Sequence, residues 1–184
     1  MTKGMKAVLL DRDGVINEKV TEDGYLTKWA QVKFMPGAAE AVQRMRDAGF
    51  LLILVTNQRA VAKGLISEVG LEFLHLRMWQ ELFRGDRGFD AVYYCPHETD
   101  PPCACRKPEP GMLLTAAQHC GIDLEASWMV GDSESDMQAG RSAGCRTVRI
   151  GSPAVRSSSV ADEVAGSLLE AASMILATAA VLVS

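Results

Sequence analysis

Short, wholly apolar runs alternate along this chain with longer stretches in which apolar residues recur every three or four positions. Ala7-Val8-Leu9-Leu10 and Phe50-Leu51-Leu52-Ile53-Leu54-Val55 are continuously apolar and bounded by polar residues, the pattern of strands buried on both faces. Ala91-Val92-Tyr93-Tyr94, Trp128-Met129-Val130 and Arg146 to Ile150 read as three more. Pro36-Gly37 opens a helix with Ala38, Val42, Met45 and Ala48 at helical spacing, and Gly49 stops it. Ser67 caps a second helix with Leu71, Leu74, Met78 and Leu82 on one face; Gly85 and Gly88 mark the loop beyond it. A third runs from Pro110-Gly111 to about Cys120-Gly121, a fourth from about Ser135 to Ala143 with Gly144 as its stop, and a last from about Ala161 to Leu176, leaving 177–184 as a tail. Asn17 to Lys33 has no clear period. Repeated strand-then-helix order predicts a single α/β domain over 1–184: a Rossmann-like, mostly parallel sheet of about five strands with helices on both faces.

In such sheets ligands gather beyond the carboxyl ends of the strands. The polar clusters of this chain fall there: Asp11-Arg12-Asp13-Gly14, Thr56-Asn57-Gln58, Arg106-Lys107 and Gly131-Asp132. Singly, each has a plain structural reading as a turn, a strand end, a solvated loop lysine or a helix cap. Together they supply what phosphoryl transfer needs: a carboxylate nucleophile, a second acid to move the proton of the leaving oxygen, and Mg²⁺ with a lysine to neutralise phosphate. Asp132 is placed to complete an oxygen-rich Mg²⁺ site with Asp11, and Asp136, four residues on, to support it from behind.

Composition narrows the partners. Of the 184 residues 23% are charged, the net charge is −4, and no Lys/Arg cluster occurs, which speaks against nucleic acid or an anionic membrane as the main partner. The first apolar run is cut short by Asp11, unlike a signal peptide, and the apolar run from Ala171 to Val183 falls short of the ~20 residues that span a bilayer. A cytoplasmic location is expected. Three of the five cysteines crowd into Cys95 to Cys105. Cys95, His97, Cys103 and Cys105 offer three thiolates and an imidazole, the set for a closed, structural Zn²⁺ site. The loop contains Pro101-Pro102 and little apolar material, so it needs such a staple. Arg106-Lys107 follow the last ligand directly, so the zinc would position the residues that grip phosphate. Cys120 and Cys145 read as core residues.

Asp11-Arg12-Asp13-Gly14-Val15-Ile16-Asn17, Thr56-Asn57-Gln58, Arg106-Lys107-Pro108 and Gly131-Asp132-Ser133-Glu134-Ser135-Asp136 are similar to the four motifs of the haloacid dehalogenase superfamily of phosphatases, in the same order and over about Ala7 to Gly144. That resemblance implies that Asp11 is the nucleophile, becoming an aspartyl-phosphate, and Asp13 the general acid/base. It further implies that Thr56 and Lys107 hold the transferring group, and that Mg²⁺ is bound by Asp11, the Asp13 carbonyl and Asp132. The zinc loop, with Pro110-Gly111-Met112 after it, resembles the branch that acts on heptose bisphosphates and on histidinol phosphate. Asp23-Gly24-Tyr25, Thr56-Asn57-Gln58 and Tyr93-Tyr94-Cys95-Pro96-His97 look more like the heptose type, while the five-residue spacer between the zinc-ligand pairs argues weakly for the histidinol type. The expectation is Mg²⁺-dependent hydrolysis of a small sugar phosphate by a monomer with a minimal cap. Asn57, Gln58, Arg59 and Arg106 are expected among the substrate contacts, and Arg59, Lys63 or Arg106 to meet a second phosphate. Histidinol phosphate is the alternative substrate. A zinc-stapled binding module without catalysis is a remoter one, opposed by the retained carboxylates. Two positions depart from the pattern: Ser133 stands where a basic residue often follows, and Arg59-Ala60 replaces Ser-Gly.

Overall fold

The computed structural model of the protein describes residues 4–20, 24–84 and 88–181. Its strands are β1 (Ala7–Leu10), β2 (Leu51–Asn57), β3 (Ala91–Cys95), β4 (Trp128–Gly131), β5 (Arg146–Ile150) and β6 (Glu163–Ala165). Its helices are α1 (Ala38–Asp47), α2 (Glu68–Leu82), α3 (Gly111–Cys120), α4 (Glu134–Ala143) and α5 (Leu168–Val181). The strands form one sheet in the order β3-β2-β1-β4-β5-β6, and each neighbouring pair is parallel.

The continuous apolar runs serve both faces, because successive side chains of a strand point to opposite sides. Val8, Leu10, Leu52, Leu54 and Val130 join the layer formed with α1, α2 and α5; Leu9, Ile53, Val55 and Met129 join that formed with α3 and α4. Full burial of each large aliphatic side chain contributes about 1.5–3 kcal/mol, so the short central strands are fixed by packing on two sides.

The chain runs outward from β1 through β2 to β3, then returns to the other side of β1 for β4, β5 and β6. Strand order therefore reverses between β1 and β4, and a reversal of this kind opens a crevice beyond the carboxyl ends of the two strands. Asp11 lies at its base, its N–H continuing the ladder to the Val130 carbonyl at 2.9 Å.

The sheet has six strands where about five were expected. Glu163-Val164-Ala165 pairs with Val148, Arg149 and Ile150; three residues headed by an acid are too short to show a period, and the helical pattern beyond absorbed them. The last helix accordingly starts at Leu168 and not near Ala161, and it continues to Val181, so 177–181 are helical and not a tail. Leu182 to Ser184, like the expectations placed on Asp23 and Gly85, lie outside the described residues. Among the described residues no helix is long and apolar enough to cross a membrane.

Candidate active site

Two glycines make room for the acids. Gly14 turns the chain beyond β1 at φ +85°, and a Cβ there would lie 2.0 Å from Asp132 Oδ2; a Cβ on Gly131 would lie 2.2 Å from that of Asp136. With both side chains absent, Asp11, Asp132 and Asp136 each offer a carboxylate oxygen within 4.8 Å of the others. Lys107 enters beneath them from the loop after β3. Its ammonium lies 2.9 Å from Asp11 Oδ1 and 2.6 Å from Asp136 Oδ1, and donates to the Val55 carbonyl at 2.8 Å. Lys19 pairs with the remaining acid, its ammonium 2.6 Å from Asp132 Oδ2.

The charges of this cluster are unequally compensated. Burial, with the charges of Asp136 and Asp13, pushes Asp11 up to about 7 against the pull of Lys107. Burial also raises Asp132, against Lys19. Asp136 is held below its ordinary value: burial opposes this, but Lys107 and the Ser133 hydroxyl and N–H outweigh it. Lys107 lies well above the usual lysine range despite its burial, because Asp11 and Asp136 flank it, and stays protonated. Two raised acids on one rim are the electrostatic signature of a site short of positive charge, and an all-oxygen set of this kind suits Mg²⁺.

Asp13 occupies a different setting. The Arg12 guanidinium grips its carboxylate through Nε at 3.1 Å and Nη2 at 2.9 Å, while Asn17 Nδ2 and Gln58 Nε2 donate at 2.9 and 3.1 Å. Burial alone would raise Asp13, but these donors hold it below the ordinary range. Arg12 is itself buried and directs Nη1 to His75 Nε2 of α2 at 3.1 Å. Burial and the Arg12 charge depress His75 to about 3, leaving a neutral ring to accept that bond. Gln58 Nε2 also donates to Thr56 Oγ1, at 2.9 Å.

The zinc-type cluster closes as the spacing predicts. Cys95 Sγ lies 3.5 Å from Cys103 Sγ, 3.2 Å from Cys105 Sγ and 3.6 Å from His97 Nδ1, and the four ligand atoms all fall within 4.8 Å of one another. A tetrahedral Zn²⁺ with ~2.3 Å bonds to sulfur spaces its ligands ~3.8 Å apart, so this set fits the ion after opening by a few tenths of an ångström. The loop is bound to the rim independently of any metal: Asn57 Oδ1 accepts from the Lys107 N–H, and Asn57 Nδ2 donates to the Lys107 carbonyl, each at 3.1 Å.

Asp11, Asp13, Thr56, Asn57, Lys107, Asp132 and Asp136 thus line one cleft of about 150 Å³. Gln58, Arg59 and Arg106 line, with Arg12, Asp13 and Tyr25, an adjoining cavity of about 290 Å³. Asn57 borders both, but both ends of its amide are engaged by the Lys107 backbone. Arg59 donates to the Tyr25 hydroxyl from Nε and Nη2, at 2.9 and 2.6 Å, and lies 3.5 Å from Glu98. Lys63 stands outside this cavity, 5.7 Å from the Tyr25 ring centroid. Lys19 and His75 went unread in the sequence. Lys19 sits in the aperiodic stretch after β1, and His75 on the buried face of a helix, where a lone histidine reads as core.

A family model described as haloacid dehalogenase-like hydrolase matches residues 6–144. The chain is 44% identical over 146 residues to a protein of Pasteurella multocida named D-glycero-beta-D-manno-heptose-1,7-bisphosphate 7-phosphatase, covering 75% of this chain and 77% of that one. It is 39% identical over 181 residues to a protein of the same name from Escherichia coli, covering 92% and 93%. Among solved structures, the D,D-heptose 1,7-bisphosphate phosphatase of B. bronchiseptica complexed with magnesium and phosphate superposes with a TM-score of 0.85 at 33% identity, over 95% of this chain and 99% of that one.

Proposed function

The chain belongs to the haloacid dehalogenase-like hydrolase family, and we propose that it removes the 7-phosphate of D-glycero-beta-D-manno-heptose 1,7-bisphosphate by way of an aspartyl-phosphate on Asp11. The observation that carries this reading is the cleft in which Asp11, Asp132 and Asp136 converge on Lys107, in a chain so similar to phosphatases of that name. In this reading an Asp11 oxygen attacks phosphorus while the bond to the sugar oxygen breaks. Lys107 counters the charge of the phosphoryl group and fixes the orientation of Asp11, and the Thr56 hydroxyl and Gln58 border its path. Mg²⁺ held by Asp11, the Asp13 carbonyl and Asp132 would keep Asp11 ionised and neutralise the phosphoryl oxygens.

Asp13 gives its proton to the sugar oxygen and then takes one from the water that hydrolyses the aspartyl-phosphate. Its clasp by Arg12, Asn17 and Gln58 favours the ionised form that the second step needs. Arrival of a phosphate beside it favours proton uptake for the first, since a neighbouring negative charge raises a carboxyl pKa. The adjoining cavity, bordered by Arg59 and Arg106, suits the far end of a substrate with a second phosphate. The same reading makes this a cytoplasmic enzyme of a small metabolite, with a structural zinc at Cys95, His97, Cys103 and Cys105.

Steady-state hydrolysis of the heptose bisphosphate and of histidinol phosphate with Mg²⁺ tests the substrate, and a large kcat/KM preference for histidinol phosphate would overturn it. Asp11→Asn should abolish turnover with both; retained activity would remove Asp11 from the chemistry.

A further inference from the structure

Two lysines line the cleft among the described residues, and they are held in opposite ways. Lys107 is buried, with Asp11, Asp136 and the Val55 carbonyl around its ammonium. Lys19 comes from the solvent side, its side chain 58% exposed, and pairs with Asp132, whose side chain is 16% exposed. Its backbone is anchored, because the Glu18 N–H donates to the Lys33 carbonyl at 2.8 Å and Val20 packs on the core. The side chain is therefore the part free to swing. Its stem passes the bare face of Gly14, where an added Cβ would lie 3.1 Å from Lys19 Cε. No cation comes from the residue after Asp132: the Ser133 hydroxyl and N–H both donate to Asp136 Oδ2, at 2.6 and 3.0 Å, as the cap of α4.

A divalent cation ligated by Asp132 competes with this ammonium for the same carboxylate. A hard, doubly charged ion prevails over a half-exposed lysine, whose ion pair is worth little on its own. Once released, the ammonium still borders the cleft that it lines together with Lys107. We propose that Lys19 is an exchangeable counter-ion: it neutralises Asp132 in the metal-free protein, gives way to the divalent cation, and then turns to the phosphoryl oxygens of the substrate. The inference rests on the metal and phosphate reading of the cleft given above.

Calorimetric titration of Mg²⁺ into the Mg²⁺-stripped protein, and then of inorganic phosphate into the Mg²⁺-saturated protein, tests both halves. Lys19→Met should bind Mg²⁺ roughly three- to tenfold more tightly, because its competitor is gone, and phosphate on the order of tenfold more weakly. Lys19→Arg, which keeps the charge, should stay close to the wild type in both. A lysine that merely straps the loop would lower the Tm on removal without raising Mg²⁺ affinity. Equal or weaker Mg²⁺ binding by Lys19→Met would therefore overturn the exchange, and unchanged phosphate binding would overturn the second role. Wild-type protein that binds no Mg²⁺ would overturn the metal reading together with the proposal, which separates the two failures.

Discussion

Replacing Gly14 by alanine tests how the site is built without touching an ionisable group. At φ +85° any L side chain strains the backbone, which costs roughly 1–2 kcal/mol. For a chain of this length each kcal/mol lowers the Tm by roughly 2–4 °C, so backbone strain alone predicts a fall of about 2–8 °C. The new methyl has a second, separable effect. It would lie 2.0 Å from Asp132 Oδ2 and 2.6 Å from its Cγ, well inside contact distance, so the carboxylate must rotate out of the cleft. Disturbing the partners of a metal site typically costs 10–100-fold in affinity, and here the carboxylate itself is displaced. Gly121→Ala separates the terms: Gly121 has φ +63° at the end of α3, and a Cβ there meets nothing within 4 Å. Thermal melts should show comparable losses for the two variants. Calorimetry should show Mg²⁺ binding intact in Gly121→Ala and weakened about tenfold or more in Gly14→Ala, with phosphatase turnover following it. A Gly14→Ala protein with wild-type Mg²⁺ affinity would refute the assignment of Asp132 as a ligand held in the space that Gly14 leaves.

The raised Asp11 sets a pH dependence. Its folded value near 7 exceeds its unfolded one near 4, so between these the folded metal-free protein holds a proton that the unfolded chain has lost. This group's contribution to stability is complete below about pH 4 and is lost as pH rises to about 7. Since Mg²⁺ needs the ionised form, the Tm gain from adding Mg²⁺ should be larger at pH 8 than at pH 5 by differential scanning fluorimetry; an equal gain would refute the linkage. Stripping zinc with a chelator should lower the Tm and raise KM more than it lowers kcat, because the Asn57 clasp still holds the Lys107 backbone; elemental analysis finding no zinc in metal-replete protein would remove this prediction's basis.

The fold was legible wherever burial imposed a period. β1, β2 and β4 lie at the centre of the sheet, must be apolar on both faces, and so announce themselves as unbroken runs. β6 is a three-residue edge strand beginning with Glu163, and the only thing distinguishing it from a helix start is its pairing with β5, which no local pattern encodes. The site was legible for a related reason. Parallel strands place their carboxyl ends on one rim, so polar residues at successive strand ends meet whatever the details of packing. This brought Asp11, Thr56, Lys107 and Asp132 together from order alone.

What stayed hidden is the wiring between those residues, because it runs through tertiary contacts that residue type does not disclose. Asn57 reads as a phosphate contact by position, yet both ends of its amide hold the Lys107 backbone, 3.1 Å away on each side. His75 reads as core, yet its ring, kept neutral by burial and the Arg12 charge, accepts from Arg12, which in turn grips Asp13. The chain thereby treats its two leading carboxylates oppositely. Asp13 is clasped by donors and held ionised, whereas Asp11 shares its lysine with Asp136 and is left close to neutrality until more positive charge arrives. Two acids two residues apart therefore differ because Arg12, Asn17 and Gln58 surround one with donors, while burial and the neighbouring carboxylates outweigh the single lysine of the other.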